Sequence, residues 1–555
     1  MPELPFFPLT PTIKVFPDEP VREEWTRSQF EGFQNETISF QAAFCGMAEY
    51  DRRPVVLRAE SPLKKQIRIR TVLSVPVRLA ALPGADDNYL RKTPGLYPDL
   101  LRDQQPENPL AILRVQTEQW QSFWIDVEPE DECEPGVYPV ELRLVTADDE
   151  TVLASASISV TILPGRLPAQ KLIRTHWFHT DCLAEYYRVP VFSEEHWTII
   201  ENFIRTAVRR GCTMILTPLF TPPLDTAPGG ERLTVQLVDV NVCKGAYTFG
   251  FDRLERWVEI CRRCGVAYLE MSHLFTQWGA AAAPKIIATV DGEEKRLFGW
   301  ETDAHGEAYA HFLSEFLPAL MEKLNELGVA DCAYFHISDE PSLDHLESYR
   351  HACSLVKPYL QRRPVIDALS DFAFYQTGAL EKPIVAIDHL EPFLQAGVPG
   401  LWTYYCVGQY RDVTNSFMAM PAARTRMLGV QLYRYQLEGF LQWGYNFYHT
   451  QLSLANLNPY EVTDAGGVFP SGDAFQVYPG RDGKPEESIR FMLNHLAMQD
   501  LRALEALETL QGREQVLRLL EECAQGPLTL TDYPRDAAFF DRLRQRVNKE
   551  LSGRL

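Results

Sequence analysis

Polar and apolar residues alternate with a period of two over residues 1–166, and the texture changes beyond them. The runs 37–44, 66–72, 121–127, 136–144 and 156–162 each alternate, with Pro, Gly and Asp clusters between them. Successive strand side chains point to opposite faces, so these runs predict half-buried strands of an antiparallel β-sandwich. The polar, Pro-rich interval 86–109 reads as a long loop. Pro164-Gly165-Arg166-Leu167-Pro168 reads as a linker.

From Lys171 onward, short apolar runs alternate with longer stretches of helical periodicity, the pattern of βα units. Strand candidates are 172–178, 213–219, 267–274, 333–338, 364–369, 384–387, 400–405 and 440–447. Helices are predicted at 194–210, 251–264, 306–327, 343–360 and 428–439. In the second of these, Leu254, Trp257, Val258 and Cys261 share one face. Eight units of this kind predict a (β/α)8 TIM barrel over 167–480, with a doubly wound sheet as the alternative. Residues 481–555 return to helical periodicity, at 486–510, 513–525 and 536–551, and are expected to pack on the barrel. The predicted chain is multidomain: an N-terminal antiparallel β-sandwich (1–166), a central catalytic barrel (167–480) and a C-terminal helical segment (481–555).

Composition narrows the partners. The formal net charge is −21 over 555 residues, which argues against nucleic acid and against an anionic membrane surface. No apolar run approaches the ~18 residues of a membrane span. Met1-Pro2-Glu3-Leu4-Pro5-Phe6-Phe7-Pro8 has neither the basic region nor the apolar core of a signal peptide, so the expected location is cytoplasmic. Eleven scattered cysteines fit a reducing compartment. Cys261 and Cys264 have CxxC spacing inside a helical pattern without a second pair, which disfavours a zinc or redox site. No cofactor and no metal are expected. The expected partner is a small glycan or glycoside, and a homodimer is left open.

The chemistry concentrates at Cys332-Ala333-Tyr334-Phe335-His336-Ile337-Ser338-Asp339-Glu340-Pro341. An apolar, aromatic run closes on two acids and a proline, which cannot donate to a strand ladder. The acids are therefore placed at the carboxyl end of the fourth strand, where barrel enzymes keep their chemistry. A plain alternative is a helix start, with Ser338 or Asp339 as N-cap. Many barrel glycosidases carry an acid Glu at the end of strand four and a nucleophile Glu at the end of strand seven. Here the seventh run is Leu401-Trp402-Thr403-Tyr404-Tyr405-Cys406, with no acid. Double displacement needs two carboxylates about 5–5.5 Å apart, whereas a substrate-assisted glycosidase uses the sugar's own 2-acetamido oxygen as nucleophile. Adjacent acids suit the second scheme, one protonating the leaving oxygen and one orienting the acetamido N–H.

The Asp339-Glu340-Pro341 strand resembles glycoside hydrolase family 123 and its relatives first catalogued as a domain of unknown function. So do Leu401-Trp402-Thr403-Tyr404-Tyr405 and Glu438-Gly439-Phe440-Leu441-Gln442-Trp443-Gly444-Tyr445-Asn446-Phe447. Tyr478-Pro479-Gly480 followed by Ser488-Ile489-Arg490 extends the likeness over about 170–525. That family contains retaining β-N-acetylgalactosaminidases that use substrate assistance. The resemblance implies that Asp339 orients the acetamido group, ionised, and that Glu340 is the protonated acid/base.

A tyrosine is expected to donate to the acetamido carbonyl. Alternation lets only one of Tyr404 and Tyr405 face inward, and Tyr404 is preferred. Trp402, Tyr405, Trp443 and Asn446 are further substrate-binding candidates, with core packing the plain reading for the tryptophans. His179, Asp225, His273, Trp278, His336 and Asp371 fall near predicted strand ends and complete the set. His179, His273, His336 and His389 lack a metal-binding spacing and suit hydroxyl recognition better. The expected activity is a retaining exo-β-N-acetylhexosaminidase favouring N-acetylgalactosamine. The alternatives are a glycosidase with Glu270 or Asp371 as nucleophile and no need of an acetamido group, or a non-catalytic carbohydrate-binding protein.

Overall fold

The computed structural model describes residues 3–104, 109–129 and 133–555. It divides into two compact units: Met1–Gln170 with Tyr410–Arg434 and Glu486–Leu555, and Lys171–Gln409 with Tyr435–Pro485.

The first unit is built on two sheets. All five alternating runs are strands, at Ile38–Cys45, Ile67–Val77, Trp120–Val127, Gly136–Thr146 and Val152–Leu163. Phe6–Leu9, Gln29–Phe33, Pro54–Glu60, Gly95–Asp103 and Leu113–Arg114 belong to the same two sheets, and Pro485–Ser488 pairs with Gly95–Asp103. Their inner faces close over Phe40, Phe44, Leu57, Phe123, Ile125, Leu142, Leu144 and Val160. Pairing is antiparallel except where Val152–Leu163 runs parallel to Gln29–Phe33. Gly95–Asp103 corrects the loop expected at 86–109, of which 105–108 lie outside the described residues. Pro98 hides this strand in the sequence. It is accommodated beside a register shift between Leu73 and Ser74, where a missing N–H is tolerated.

The C-terminal helices Ile489–Gln511, Arg513–Ala524 and Ala538–Leu551 group in one unit with the sandwich and with Tyr410–Arg434, which holds the helix between barrel strands seven and eight. The reason is visible in the first of them. Ile489, Met492, Leu493 and Leu496 pack with Val72, Leu101, Trp124 and Ala422. Two buried ion pairs, Arg490–Asp99 at 2.9 Å and Arg426–Asp500 at 2.7 Å, fix its position. Ser488 caps its N-terminus by accepting from the Phe491 N–H.

In the second unit all eight predicted barrel strands are present: Ile173–His176, Met214–Thr217, Tyr268–Met271, Ala333–Phe335, Ile366–Ala368, Lys382–Ala386, Trp402–Tyr405 and Gly439–Gln442. They form one parallel sheet in the order four, three, two, one, eight, seven, six, five. A single parallel bridge, Phe335 to Val365, closes the seam between strands four and five. Ile173, Met214, Leu216, Ile366, Ala368, Ile384, Trp402 and Leu441 fill the interior.

The insertions after strands two and three build a four-stranded accessory sheet, Asp239–Cys243, Ala246–Gly250, Ile286–Val290 and Glu293–Phe298. This sheet was not predicted, although its hairpins carry readable signals. Lys244-Gly245 and Asp291-Gly292 both adopt positive φ at the two central turn positions, as a two-residue type I′ hairpin demands. Among the described helices, none is long and apolar enough to cross a membrane.

The barrel floor depends on one close approach. Trp402 is fully buried across Gly439 of the neighbouring strand, where a Cβ would sit 2.0 Å from the indole. Only glycine leaves room, and any larger residue must displace the ring or the strand. Gly439→Ala is expected to lower stability by about 1–3 kcal/mol or more, read as a fall in denaturation midpoint with an unchanged slope.

Candidate active site

The fourth strand ends earlier than its apolar run. Its ladder covers Ala333–Phe335, and residues 336–341 continue as irregular backbone at the carboxyl end. Glu340 adopts a left-handed φ of 46°, so the chain leaves the pleat there. This meets the geometric need of the acid pair, since a regular strand would send adjacent side chains to opposite faces. Asp339 is half-buried and Glu340 exposed. The Asp339 carbonyl accepts from the Trp278 N–H at 3.0 Å. The Tyr404 hydroxyl, inward-facing on the seventh strand, donates to Glu340 Oε1 at 2.5 Å and lies 3.5 Å from Ser370 Oγ. Asp339, Glu340 and Tyr404 thus meet at one mouth.

A buried cation stands beside this pair. His336 is enclosed, with Nδ1 2.9 Å from Asp367 Oδ1 and Nε2 2.6 Å from Glu270 Oε1. Glu270 also accepts from Thr175 Oγ1 and from Trp177 Nε1. Asp367 accepts from the Tyr349 hydroxyl at 2.6 Å and the Ile337 N–H at 3.1 Å. Burial disfavours the charged ring, but hydrogen bonds to Asp367 and Glu270 and their charges raise its pKa to about 9. His336 is therefore an imidazolium clamped between carboxylates.

Burial pushes the Asp339 carboxyl well above its usual range, and the neighbouring Glu340 charge pushes it further. His336 opposes the shift, while Asp367 and Asp225 add to it. In the unliganded protein these surroundings thus disfavour the charged form that the resemblance implies for Asp339. Asp225 is raised to about 6, mainly by burial, against the Leu452 N–H that it accepts at 3.1 Å.

The remaining candidates sort by what they touch. Trp278 is on the rim. Trp443 is half-buried at the end of strand eight, its ring 5.7 Å from Phe469 and its indole nitrogen without a hydrogen bond among the described residues. His273 is buried and stacks on His336 at 4.1 Å, with both ring nitrogens likewise unbonded. His336 itself is not a sugar ligand, because the carboxylates engage both of its nitrogens.

His179 and Asn446 brace two loops against each other. Asn446 accepts from the His179 N–H and donates to its carbonyl, while the His179 ring contacts Trp443 O and Arg232 at 3.1 Å each. Burial and Arg232 push the His179 ring down to about 3, so it stays neutral. Trp402 faces inward at the opposite end of the strand from the mouth and fills the barrel floor. Tyr405 faces outward against Phe440 at 5.0 Å. Asp371 caps the short helix Phe372–Gln376 by accepting from the Phe374 N–H. These are the placements of His179, Asn446, Trp402, Tyr405 and Asp371, for which binding roles were expected.

Asp367 and Gln277 were not anticipated. Asp367 was visible as a lone acid between Ile366 and Ala368 in a buried strand. Gln277 accepts the Asp225 N–H at 2.8 Å, and nothing local in the sequence marks it. Two buried groups, Asp181 with Cys182 and His449, and His273 with His336 and Asp367, each gather three metal-capable atoms within 4.8 Å. Their charged members are paired inside the protein, Asp181 with Arg232 and Asp367 with His336.

A parallel eight-stranded barrel with a carboxyl pair at the carboxyl end of strand four defines a barrel enzyme of the glycosidase class. A family model described as glycoside hydrolase 123, catalytic domain, matches residues 177–507, and the chain belongs to that family. A solved structure is similar over almost all of both chains. It is a family 123 glycoside hydrolase from Clostridium perfringens, described for glycolipid glycan hydrolysis, at 13% identity, TM-score 0.73, and 99% of this chain against 98% of that one. At that identity the likeness establishes the fold. Bacteroides uniformis beta-glucuronidase 2 (10% identity, 84% of this chain, 48% of that one, TM-score 0.32) is too different in shape to bear on the site. The same holds for a Bacteroides ovatus GH5 xyloglucanase (10%, 86%, 99%, TM-score 0.29). No curated protein matches.

The clamp makes stability depend on pH in one direction. A histidine raised from 6.5 to about 9 stabilises fully below pH 6.5, and that contribution is lost as pH rises through about 9. Unfolding titrations of wild type and His336→Gln between pH 6 and pH 10 are expected to show an extra loss in wild type across this window, absent in the variant.

Proposed function

We propose that this protein is a retaining exo-β-N-acetylhexosaminidase. It hydrolyses a terminal 2-acetamido sugar, favouring the galacto configuration, by substrate assistance through an oxazolinium intermediate. The observation that carries the reading is the meeting of Asp339, Glu340 and the Tyr404 hydroxyl at one mouth. A tyrosine stands where a double-displacement barrel glycosidase keeps its nucleophile. The other two proposed nucleophiles are engaged elsewhere. Glu270 accepts from three side chains in the interior, and Asp371 caps a helix.

In the proposed reaction the acetamido carbonyl oxygen attacks the anomeric carbon as the bond to the leaving oxygen breaks. Glu340 gives its proton to that oxygen. Asp339 accepts the acetamido N–H and faces the positive charge that develops on the oxazolinium. The Tyr404 hydroxyl, bonded to Glu340 in the empty site, turns to the acetamido oxygen. Water, deprotonated by Glu340, then opens the ring at the anomeric carbon, and two inversions leave the configuration retained.

The pair works with one proton. In the empty site that proton is favoured on Asp339, and an acetamido N–H donated to Asp339 favours its charged form. Substrate binding therefore moves the proton to Glu340, where it is needed. The two titrations belong to the pair rather than to either residue.

Glu340→Gln is expected to lower kcat/KM on alkyl and sugar aglycones by about 10²-fold or more, and far less on a dinitrophenyl leaving group that needs no proton. A thiazoline that mimics the oxazolinium should inhibit wild type strongly. Turnover confined to glycosides lacking the 2-acetamido group would sink the mechanism. The pH profile of kcat, which reports the substrate complex, should be bell-shaped. Its acid limb, where Asp339 becomes protonated in the active complex, should vanish in Asp339→Asn while the basic limb remains.

A further inference from the structure

We propose that Trp278 is the floor of the leaving-group subsite, a platform on which the sugar next to the scissile bond stacks. This rests on the hydrolase reading above and adds to it the class of aglycone: a glycan residue rather than an alkyl chain. Whatever group protonates the glycosidic oxygen touches the leaving residue, so the aglycone must lie against Glu340. Trp278 is joined to that spot by its N–H, donated to the carbonyl of Asp339, the residue before Glu340.

The local backbone is shaped to hold the indole out. Trp278, Gly279 and Ala280 have consecutive positive φ values of 57°, 117° and 55°. A bulky residue in that region is strained, and such strain persists only where surrounding contacts over-determine it. Here they do. The Gly279 carbonyl accepts from Ser348 Oγ, and a Cβ at Gly279 would lie 2.8 Å from the His345 ring. Ala280 is fully buried. Yet the tryptophan just before these anchors is 46% exposed, and Leu343, three residues beyond Glu340, is also 46% exposed. A braced turn, bonded through its backbone to the residue before Glu340, thus carries a large aromatic side chain that stays exposed.

The lining around it is mixed. Asp344 and Glu340 are exposed, and Ser342 and His345 are half-buried on the same stretch as Leu343. A hexopyranose has a face of C–H groups for an indole and a rim of hydroxyls for such neighbours. An alkyl chain would leave those polar groups without partners.

The test uses Trp278→Gly, which relaxes the left-handed backbone rather than straining it, and Trp278→Phe, which keeps a ring. Three probes are compared: a disaccharide ending in a β-linked 2-acetamido-2-deoxygalactose, the corresponding β-fluoride, which has no aglycone ring, and the thiazoline, which fills only the terminal-sugar subsite. In Trp278→Gly, kcat/KM for the disaccharide should fall by about tenfold or more, with a much smaller change for the fluoride and in the thiazoline Ki. Trp278→Phe should recover part of the disaccharide activity. An equal loss on all three probes would assign Trp278 to the terminal-sugar subsite or to folding and overturn the platform. Wild-type behaviour of the glycine variant on the disaccharide would overturn it as well. A wild-type enzyme that neither turns over the acetamido substrates nor binds thiazoline would overturn the hydrolase reading first, and this inference with it.

Discussion

A charge removed from water must be answered by an opposite charge or by hydrogen bonds, and His336 is where this barrel meets that demand. Two enclosed carboxylates, Glu270 and Asp367, would otherwise face each other's neighbourhood with no cation, at a cost of several kcal/mol each. The imidazolium between them bonds both, and Thr175, Trp177, Tyr349 and the Ile337 N–H take up further acceptor capacity. Strands one, three, four and five are cross-linked by this one network. It reaches the chemistry through the chain itself, since Asp339 lies three residues beyond His336 and feels its charge.

The acid pair is a second consequence of the same short strand. The ladder stops at Phe335, so the five residues to Glu340 take their path from contacts rather than from the sheet. The Asp367 carboxylate holds the Ile337 N–H, Ser338 donates to the Thr276 carbonyl, and the Trp278 N–H holds the Asp339 carbonyl. Freed from the pleat, two adjacent side chains can serve one pocket. Like charges placed so close disfavour each other's ionisation, and the Glu340 charge thereby adds to burial in raising the Asp339 carboxyl.

The loop after strand three carries more of the site than its length suggests. It supplies Trp278, runs alongside the fourth-strand segment, and includes Gln277, whose side chain holds the Asp225 N–H. Its left-handed turn is stable because Ser348 and His345 lie against it. The accessory sheet built from this insertion and the preceding one separates the family 123 barrel from a bare (β/α)8 unit.

Much of this was legible in the residues. Hydrophobic periodicity located every barrel strand, because a buried parallel strand must be apolar on both faces. It also located the longer helices, because their buried faces repeat at helical spacing. The missing acid in 401–406 and the paired acids at 339–340 were equally plain. Alternation allowed only one of Tyr404 and Tyr405 to face inward, since side-chain direction along a strand is a local property, and the structure turns Tyr404 in and Tyr405 out. What no local rule could decide was which polar residues meet. His336 and Asp371 looked like sugar ligands by position, yet one is enclosed by carboxylates 66 and 31 residues away and the other caps its own helix. The upward shift of Asp339 depends on burial and on Asp367 and Asp225 as well as on Glu340, and only the folded barrel brings those two charges near. The run Cys332–Pro341 thus showed its paired acids in sequence. Only the tertiary structure decided how the Asp339 carboxyl is raised, because pKa values follow from the surroundings a side chain has in space and not from its neighbours along the chain.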